Sequence, residues 1–377
     1  MNEEKIIFNK KNFFHFSNNQ SFNINFINNK IILTKFCTII ILFIFIFKYF
    51  TNNNFLTNKI DFEFKNHLKN IIKNDDDIIE NELLSKHTTF RLGGPAKFFI
   101  RPKTNNQIIK IIELCNKYKI HYFILGNGSN LLVSDIGYNG VIIQIYEKYF
   151  SNLEIRKDDE NNYNLIVGGG MPMRTLSIEA CLLSLTGLED IIDIPGTVGG
   201  GIIMNASYKR TALTNSLIKV KAITPDGKEI ELTKEECGLT KRGSILKNNK
   251  YIVIEARFKL QKDDPIIIQK TMTNNTMSRY EKQPMYFGSA GCFFVWDHAK
   301  YGGMYEKYKK SNLVSYRVGN AMIYTYNIAF IVNLGNATAN QVMEIVKYIE
   351  NIMRKQYKIK IKREVIVIGS YLLFISI

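Results

Sequence analysis

Residues 121–135 read HYFILGNGSNLLVSD, in which two glycines, Gly126 and Gly128, separate two hydrophobic runs. Because neither glycine carries a Cβ, the backbone can turn sharply there and bring its N–H groups close to a ligand. Amides that converge in this way form a nest that suits a phosphate group. The stretch therefore predicts a phosphate-binding turn around which the fold is arranged, formed by Gly126, Asn127, Gly128, Ser129, Asn130 and Leu131.

The turn does not follow the dinucleotide fingerprint of Rossmann folds. That fingerprint is GxGxxG at the start of a helix, whereas here Leu131 occupies the third glycine position and the strand-like run LLV begins there. Taken alone, the turn is better explained as an ordinary tight connection between two strands. A Rossmann fold is therefore not expected, and the phosphate-binding interpretation needs support from elsewhere in the chain.

A second glycine-rich stretch, PGTVGGG at residues 195–201, supplies that support. Glycines packed this closely cost chain entropy unless the backbone has to approach another group. We expect this stretch, like the first, to follow the end of a strand in the same domain. The two stretches together favour a bulky cofactor that carries phosphate groups.

The composition is that of a globular protein: 46% of the 377 residues are hydrophobic and 22% are charged, with room for about two or three domains. The net charge is +16, but the basic residues are scattered, and no Lys/Arg block interleaved with aromatic residues predicts nucleic-acid binding. The cysteines never form a CxxC pair, so neither a disulfide framework nor a metal site is expected, and a reducing compartment is favoured. They are Cys37, Cys115, Cys181, Cys237 and Cys292.

Residues 1–80 differ from the rest, since Asn, Lys, Ile and Phe dominate and glycine and proline are absent. The segment 36–50 contains the apolar run FCTIIILFIFIF, which is shorter than the roughly 20 residues of a membrane-spanning helix. Three interpretations remain open: a short membrane anchor or targeting presequence, a buried or surface-lying segment, and an upstream extension that is not part of the working protein. Membrane contact is expected only through this extension, if at all.

Beyond residue 80, strand-like and helix-like segments alternate, which predicts an α+β or α/β protein with more than one lobe. A helical stripe between strand-like runs predicts a β-α-β unit, and Thr338 followed by Gln341 predicts the start of a helix. The predicted strands lie at 121–125, 131–133, 140–145, 164–167, 217–223, 229–232, 251–260, 329–332 and 364–369, with a strand and turn at 84–96. The predicted helices lie at 105–119, 173–185, 266–280 and 338–355.

Several motifs in a fixed order resemble those of the UDP-N-acetylenolpyruvoylglucosamine reductase family. Together they cover about three quarters of the chain, and their order makes them far more specific than any one motif. They are HTTFRLGGPA (87–96), GNGSNLLV (126–133), GLEDIIDIPGTVGG (187–200), MNA (204–206), KRGSIL (241–246), GSAGCFF (288–294), YRVGNA (316–321) and REVIVIG (363–369). No long insertion separates them, which is typical of the shorter of the family's two forms.

The resemblance implies an α+β fold with a two-lobed FAD-binding domain of the vanillyl-alcohol-oxidase type, followed by a smaller α+β substrate-binding domain. We expect an N-terminal extension at 1–80, FAD-binding lobes at 81–146 and 147–262, and the substrate-binding domain at 266–370. It also implies FAD and NADPH as cofactors, a small nucleotide-sugar substrate and peptidoglycan precursor synthesis. We expect a cytoplasmic location and a monomer. Membrane anchoring or organelle targeting through 36–50 is the alternative location.

Family members place a serine, or sometimes a cysteine, as the acid that protonates the substrate carbon, and this position falls on Cys292. A thiol with a pKa of about 8.5 is mostly protonated at neutral pH and can donate; the alternative is a small buried hydrophobe. The resemblance assigns Arg242 and Glu364 to the charge that develops beside the substrate carboxylate, although Glu364 could instead be a strand-end charge paired with lysines. It further implies substrate binding by Arg242, Ser289 and Glu364, and cofactor binding by Pro195, Gly196, Thr197, Val198, Gly199, Gly200 and Asn205, besides the first turn.

By resemblance, reduced nicotinamide passes a hydride to FAD, the flavin delivers it to the vinyl carbon of an enolpyruvyl ether, and Cys292 protonates the enolate-like intermediate. The chain departs from the family on the substrate side. Lys241 replaces a tyrosine, Ser207 a glycine, residues 295–297 (VWD) a Lys/Arg-Asn/Arg-Pro run, and Asn327 a histidine. Two alternatives therefore stay open: a flavin oxidoreductase of the same scaffold with a changed substrate, and a membrane-tethered binding protein with a decayed site.

Overall fold

A computed structural model describes residues 59–209 and 211–369. The chain divides into two compact units, Met1–Glu63 and Phe64–Ile377. In the first unit the described residues, 59–63, are helical, and the predicted apolar segment 36–50 lies outside the described residues. Among the described residues, no helix combines the length and apolarity needed to cross a membrane.

The first lobe of the second unit is built on a mixed four-stranded sheet. Its elements are α1 (residues 64–71), β1 (Ile78–Leu83), β2 (Pro95–Ile100), α2 (Asn105–Tyr118), β3 (Tyr122–Leu125), β4 (Leu131–Val133) and β5 (Tyr138–Gln144). The strand order is β1-β2-β5-β3, with β1 antiparallel to β2 and the other pairs parallel. The parallel pairs are possible because α2 carries the chain back between β2 and β3, and residues 126–137 carry it back between β3 and β5.

Both longer helices of this lobe bury apolar stripes of helical spacing. On α2 the predicted stripe is confirmed, since Ile108, Ile111 and Ile112 are fully buried. On α1, Phe64 and Leu68 are fully buried in the same core. Residues before the predicted boundary at residue 80 therefore pack in the core of this lobe. The sequence analysis missed them because their four-residue spacing lies within an Asn- and Lys-rich segment.

The segment predicted as a strand and turn at 84–96 has a different structure. Residues Leu84–His87 form a 3-10 helix, and the next strand begins only at Pro95. The chain closes on itself here, because the N–H groups of Leu84 and Ser85 donate to the carbonyls of Gly94 (3.1 Å) and Gly93 (3.2 Å). This loop then packs against β4, where a Cβ at Gly93 would lie 2.8 Å from Val133 Cβ.

The second lobe is an antiparallel sheet of six strands with short helices on it. Its elements are α3 (Glu147–Phe150), β6 (Leu153–Lys157), β7 (Asn162–Gly168), α4 (Met173–Leu182), β8 (Leu185–Thr186), α5 (Val198–Ile203), β9 (Ser207–Tyr208), β10 (Thr211–Ala212), β11 (Leu217–Ile223), β12 (Glu229–Thr233), α6 (Ile245–Asn248) and β13 (Ile252–Lys262). The sheet order is β12-β11-β13-β7-β6, with β8 also paired to β13. β9 and β10 form a separate hairpin.

The third part of the fold surrounds a long amphipathic helix. Its elements are α7 (Pro265–Lys282), β14 (Phe294–Val295), α8 (His298–Tyr301), α9 (Met304–Lys310), β15 (Arg317–Val318), β16 (Ala321–Ile323), β17 (Ile331–Asn333), α10 (Ala339–Tyr357), β18 (Lys362–Arg363) and β19 (Ile366–Ile368). Thr338 and Gln341 form the predicted capping box at the start of α10. The mixture of sheets and helices confirms the predicted α+β class.

Two contacts tie the end of the chain to the first lobe. Strand β19 pairs in parallel with β4, with Ile366 opposite Leu131. The Asp135 carboxylate, just after β4, accepts hydrogen bonds from the N–H groups of Ala339 (2.7 Å) and Asn340 (2.9 Å) at the start of α10. A negative charge is stabilising at a helix N-terminus, so the first and third parts of the fold are held together by charge as well as by strand pairing.

Replacing Leu68 by alanine tests whether α1 belongs to the core. We expect L68A to lower the free energy of unfolding by about 2–5 kcal/mol, because a buried leucine leaves a cavity. Leu182 is 74% exposed at the end of α4, so the matched change L182A should alter it by less than about 0.5 kcal/mol. Urea unfolding followed by circular dichroism measures the free energy of unfolding of both variants. A decrease in L68A no larger than that in L182A would show that α1 does not stabilise the lobe.

Candidate active site

The first glycine-rich turn connects β3 to β4 and leaves its backbone donors free. Gly128 has a φ of +59°, and a Cβ there would lie 2.2 Å from the His87 carbonyl oxygen, so the position requires glycine. In the described part of the chain, the N–H groups of Asn127, Gly128 and Ser129 donate to no protein acceptor. Consecutive free amides at a tight turn are the donor set that a phosphate group needs.

The two glycine-rich stretches contact each other directly. A Cβ on Gly126 would lie 2.7 Å from Thr197 Oγ1, and one on Gly196, whose φ is +126°, would lie 2.9 Å from Ser129 Oγ. Part of the glycine content is therefore required by contact between the two stretches. The second stretch supports the first turn from the side, which places predicted residues of both stretches in one neighbourhood.

The second stretch differs from the prediction in its context and in its amides. It follows the 3-10 helix Glu189–Ile191 and opens the short helix α5, where it was expected to follow a strand. Three of its N–H groups already have protein acceptors: Val198 N donates to Met171 O (2.8 Å), Gly199 N to Gly169 O (2.8 Å) and Gly200 N to Thr197 Oγ1 (3.3 Å). These amides are not free donors, because the glycines let α5 pack closely on the neighbouring backbone.

Arg242 lies at the tip of a tight turn and points to Glu364. The turn is closed by two backbone hydrogen bonds between Thr240 and Gly243, of 2.9 and 3.3 Å. Arg242 has a φ of +62°, which is uncommon for a residue with a side chain and is often found at functional sites. Its Nε lies 3.1 Å from Glu364 Oε1, and its Nη2 donates to the Ser207 carbonyl at 3.3 Å.

Asn205 is predicted to bind the cofactor, but both polar atoms of its side chain form hydrogen bonds within the protein. Its Nδ2 donates to the Thr240 carbonyl at 3.0 Å, and its Oδ1 accepts a hydrogen bond from the Thr214 hydroxyl. The first of these bonds holds the turn that carries Arg242. In the structure the Asn205 side chain therefore supports the turn that carries Arg242.

Glu364 is hydrogen-bonded both to the first turn and to residues 288–294, called the acid segment here because they contain the predicted acid, Cys292. Its N–H donates to the Phe293 carbonyl at 2.9 Å, next to Cys292. Its own carbonyl accepts from Asn130 Nδ2 at 3.1 Å, and Ile366 N donates to the Asn130 carbonyl at 3.0 Å. Three predicted residues from distant parts of the sequence are thereby brought together: Asn130, Cys292 and Glu364.

The environment of Cys292 keeps its thiol protonated. Burial, together with the negative charge of Glu364, raises the pKa of Cys292 to about 11, although the positive charges of Arg242 and Arg279 oppose the rise. Cys115 and Cys237 also have raised pKa values, but they are fully buried within the cores of the two lobes. Cys292 is only partly buried, so it can reach a substrate, and it carries a proton at neutral pH.

The carboxyl group of Glu364 is also perturbed. Burial raises its pKa above the ordinary value, and the positive charges of Arg242, Lys247 and Lys241 oppose that rise. Several cations therefore converge on one carboxyl group. Such a site has an excess of positive charge, which favours an anionic ligand.

Ser289, predicted to bind substrate, is held through its backbone. Its N–H donates to the Thr89 carbonyl at 3.2 Å, and its carbonyl accepts from the Thr89 hydroxyl at 2.7 Å. Thr89 belongs to the loop before β2, so the acid segment is also tied to the first lobe. The Ser289 hydroxyl forms no hydrogen bond with the described residues and stays available.

Arg279, in the last turn of α7, escaped the sequence analysis. It is 5% exposed, and among the described residues its Nε is a buried polar atom without a hydrogen-bond partner. Its Cζ lies 5.1 Å from the centre of the Tyr208 ring. A basic residue near the end of a polar helix looks like a surface residue, so no local pattern could have identified it.

Two family models match the chain. An FAD binding domain matches residues 96–233, which contain both glycine-rich stretches, and the C-terminal domain of UDP-N-acetylenolpyruvoylglucosamine reductase matches residues 283–368, which contain Cys292 and Glu364. These matches confirm the predicted order of an FAD-binding part followed by a distinct C-terminal domain.

Relatives and solved structures agree with the family models. UDP-N-acetylenolpyruvoylglucosamine reductases of Clostridium botulinum (strain Alaska E43) and Bacillus pumilus are each 34% identical over 78% of this chain and 94% of their own length. The crystal structure of the Thermus caldophilus enzyme, MurB, matches with a TM-score of 0.65 and 30% identity, over 78% of this chain and all of that chain. The chain therefore belongs to the UDP-N-acetylenolpyruvoylglucosamine reductase family.

Proposed function

We propose that this protein uses NADPH and bound FAD to reduce the enolpyruvyl ether of UDP-N-acetylglucosamine, giving UDP-N-acetylmuramate for peptidoglycan synthesis. The observation that carries the proposal is the hydrogen-bonded connection between Cys292, Glu364 and the first glycine-rich turn. It supports the proposal because it brings together the Cys292 thiol, the Arg242–Glu364 ion pair and the free amides of the first turn. This is the set of groups that such a reduction requires.

The residues of the first turn fit FAD. The free N–H groups of Asn127, Gly128 and Ser129 would hold its pyrophosphate, and the contact between Ser129 and Gly196 would keep the turn in place. When bound, FAD would take a hydride from NADPH and supply it to the vinyl carbon of the substrate.

Arg242 and Glu364 would stabilise the charge that hydride addition creates. The added hydride leaves negative charge on the neighbouring carbon and its carboxylate. Arg242 is a permanent cation whose direction is fixed by Glu364 and by the Ser207 carbonyl, and preorganised charge of this kind is usually a large catalytic effect. Lys241 and Lys247 add positive charge around Glu364, which suits a substrate with a carboxylate and a diphosphate.

Cys292 would complete the reaction by donating its thiol proton to the carbon beside the carboxylate. The raised pKa keeps the thiol protonated until it is needed. The backbone bond from Glu364 N to Phe293 O holds the acid beside the ion pair, so proton delivery and charge stabilisation act on the same carbon.

A changed substrate is the second candidate, because two departures from the family meet in the structure. Lys241 Nζ donates to the Trp296 carbonyl at 3.2 Å, and the Trp296 ring N–H donates to the Gly302 carbonyl at 2.9 Å. A cation from the Arg242 turn thus touches the segment where a basic run is missing. NADPH oxidation that ignores the enolpyruvyl nucleotide would favour this candidate.

We further propose a cytoplasmic monomer that acts on small molecules and contacts a membrane only through its N-terminal extension, if at all. All the described cysteines, Cys115, Cys181, Cys237 and Cys292, are free, which fits a reducing compartment. Size-exclusion chromatography with light scattering would test the monomer.

The direct test is an absorbance assay of the purified protein. We expect a yellow protein with bound flavin that oxidises NADPH only when UDP-N-acetylglucosamine enolpyruvate is present. Protein without flavin after gentle purification would contradict the proposal.

Replacing Cys292 isolates the proton-transfer step. We expect C292A to slow reoxidation of the reduced flavin by the enolpyruvyl nucleotide by about 100- to 10,000-fold, because a general acid is lost. C292S should keep much of the activity, since a hydroxyl can also donate. Flavin reduction by NADPH should be unchanged in both, and the control C181A should behave as wild type. Stopped-flow absorbance measures each half-reaction, and a fully active C292A would rule out the assigned acid.

The pH dependence follows from the raised pKa of Cys292. Because an acid with a pKa of about 11 stays protonated below that value, the rate of flavin reoxidation should not fall between about pH 7 and 9 through loss of the thiol proton. An ordinary thiol, with a pKa of about 8.5, would cause such a fall. C292S provides the comparison because serine does not titrate there, and a decline seen in wild type but absent in C292S would contradict the prediction.

A further inference from the structure

Arg279 is a buried cation whose hydrogen-bond donors are not all paired within the described residues. Burying a charge is costly unless it is paired and hydrogen-bonded. Its Nε has no partner among the described residues, and the ring of Tyr208 offers a face but no acceptor. Asp193 is the carboxylate whose charge acts on Arg279, but its two oxygens accept hydrogen bonds from Arg174 and Thr276.

Arg279 lies close to the reacting groups. The guanidinium of Arg279 lies over the ring of Tyr208. The preceding residue, Ser207, accepts a hydrogen bond from Arg242 through its carbonyl. The positive charge of Arg279 also acts on Cys292. Arg242 is already paired with Glu364 at 3.1 Å, whereas Arg279 forms no ion pair with a carboxylate of the described residues.

The helix that carries Arg279 is fixed in place. Asn275 Nδ2 donates to Asp190 at 2.7 Å, Thr276 to Asp193 at 2.6 Å, and Tyr208 OH to Ser278 Oγ at 3.0 Å. These bonds hold one face of α7 against the second lobe. The guanidinium is therefore preorganised, and an incoming anion would not have to order it.

We propose that Arg279 binds the carboxylate of the enolpyruvyl group, a role that rests on the proposed function. Cys292 protonates the carbon that bears this carboxylate, so the anion nearest to the acid is the carboxylate, and the diphosphate lies further along the substrate. A guanidinium binds a carboxylate through two parallel hydrogen bonds. Arg279 would thus recognise the group that distinguishes the substrate from UDP-N-acetylglucosamine, leaving Arg242 and Glu364 to stabilise the developing charge.

The test compares two nucleotides that differ in the enolpyruvyl group. In the flavin-loaded protein, R279Q should raise the Kd of UDP-N-acetylglucosamine enolpyruvate by about tenfold to a hundredfold, as expected for loss of a charge-assisted contact. The Kd of UDP-N-acetylglucosamine and the rate of flavin reduction by NADPH should not change. Flavin absorbance titrations and stopped-flow measure these quantities, and R174Q, which alters a half-exposed arginine beside Asp193, is the matched control.

Each other outcome overturns the proposal. An equal loss for both nucleotides would assign Arg279 to the diphosphate, a slower reduction by NADPH would assign it to the dinucleotide, and unchanged affinities would make it structural. If R279Q does not fold, R279K keeps the charge without the planar fork, and an intermediate loss restricted to the enolpyruvyl nucleotide is expected. The proposed function fails separately, if the wild-type protein does not oxidise NADPH with this substrate.

Discussion

The active site depends on the hydrogen bonds of one asparagine. Asn130 ends the first glycine-rich turn, and its side chain and carbonyl bond to Glu364 and Ile366. Glu364 in turn bonds to Phe293, beside Cys292. Hydrogen bonds thus connect the first glycine-rich turn, the acid segment and the last strand, and they fix the position of Cys292 relative to the turn. The geometry of hydrogen bonds tolerates little variation, so a movement of the turn would also move the acid segment.

Charge is the second organising constraint of the site. Arg242 and Glu364 neutralise each other across 3.1 Å, while Lys241, Lys247 and Arg279 keep the surroundings positive. A neutral pair in a positive pocket can stabilise new negative charge without first losing its own partner. The net charge of +16 is spread over the whole sequence and says little about this arrangement, which arises from where a few cations meet.

Features with local causes could be predicted from the sequence. The strands Leu131–Val133 and Leu217–Ile223 have the predicted bounds, and the capping box at Thr338 is confirmed, because alternation and capping act over a few residues. The glycine-rich turn was recognisable for the same reason. Family motifs, which carry long-range information, were needed to predict that Arg242, Cys292 and Glu364 belong together.

Features with distant causes could not be predicted. Arg279 is buried by residues of another lobe, and its helix shows only a polar pattern. The engaged amides of Val198 and Gly199 depend on the carbonyls of Met171 and Gly169. The stripe of α1 was obscured by its Asn- and Lys-rich surroundings. In each case the structure depends on residues that are too distant in the sequence for a local pattern to reveal them.

The parallel pairing of β19 with β4 has a consequence for how the protein is made. A ribosome releases β4 long before β19, and domains begin to fold as they emerge. During that interval the strand beside the glycine-rich turn lacks its neighbour, and Asn130 lacks both of its partners. A chain that stops before residue 364 would have the flavin turn in its sequence but not the bonds that shape it. Capture of the flavin would thus be a late event in synthesis, coupled to the release of Glu364 from the ribosome.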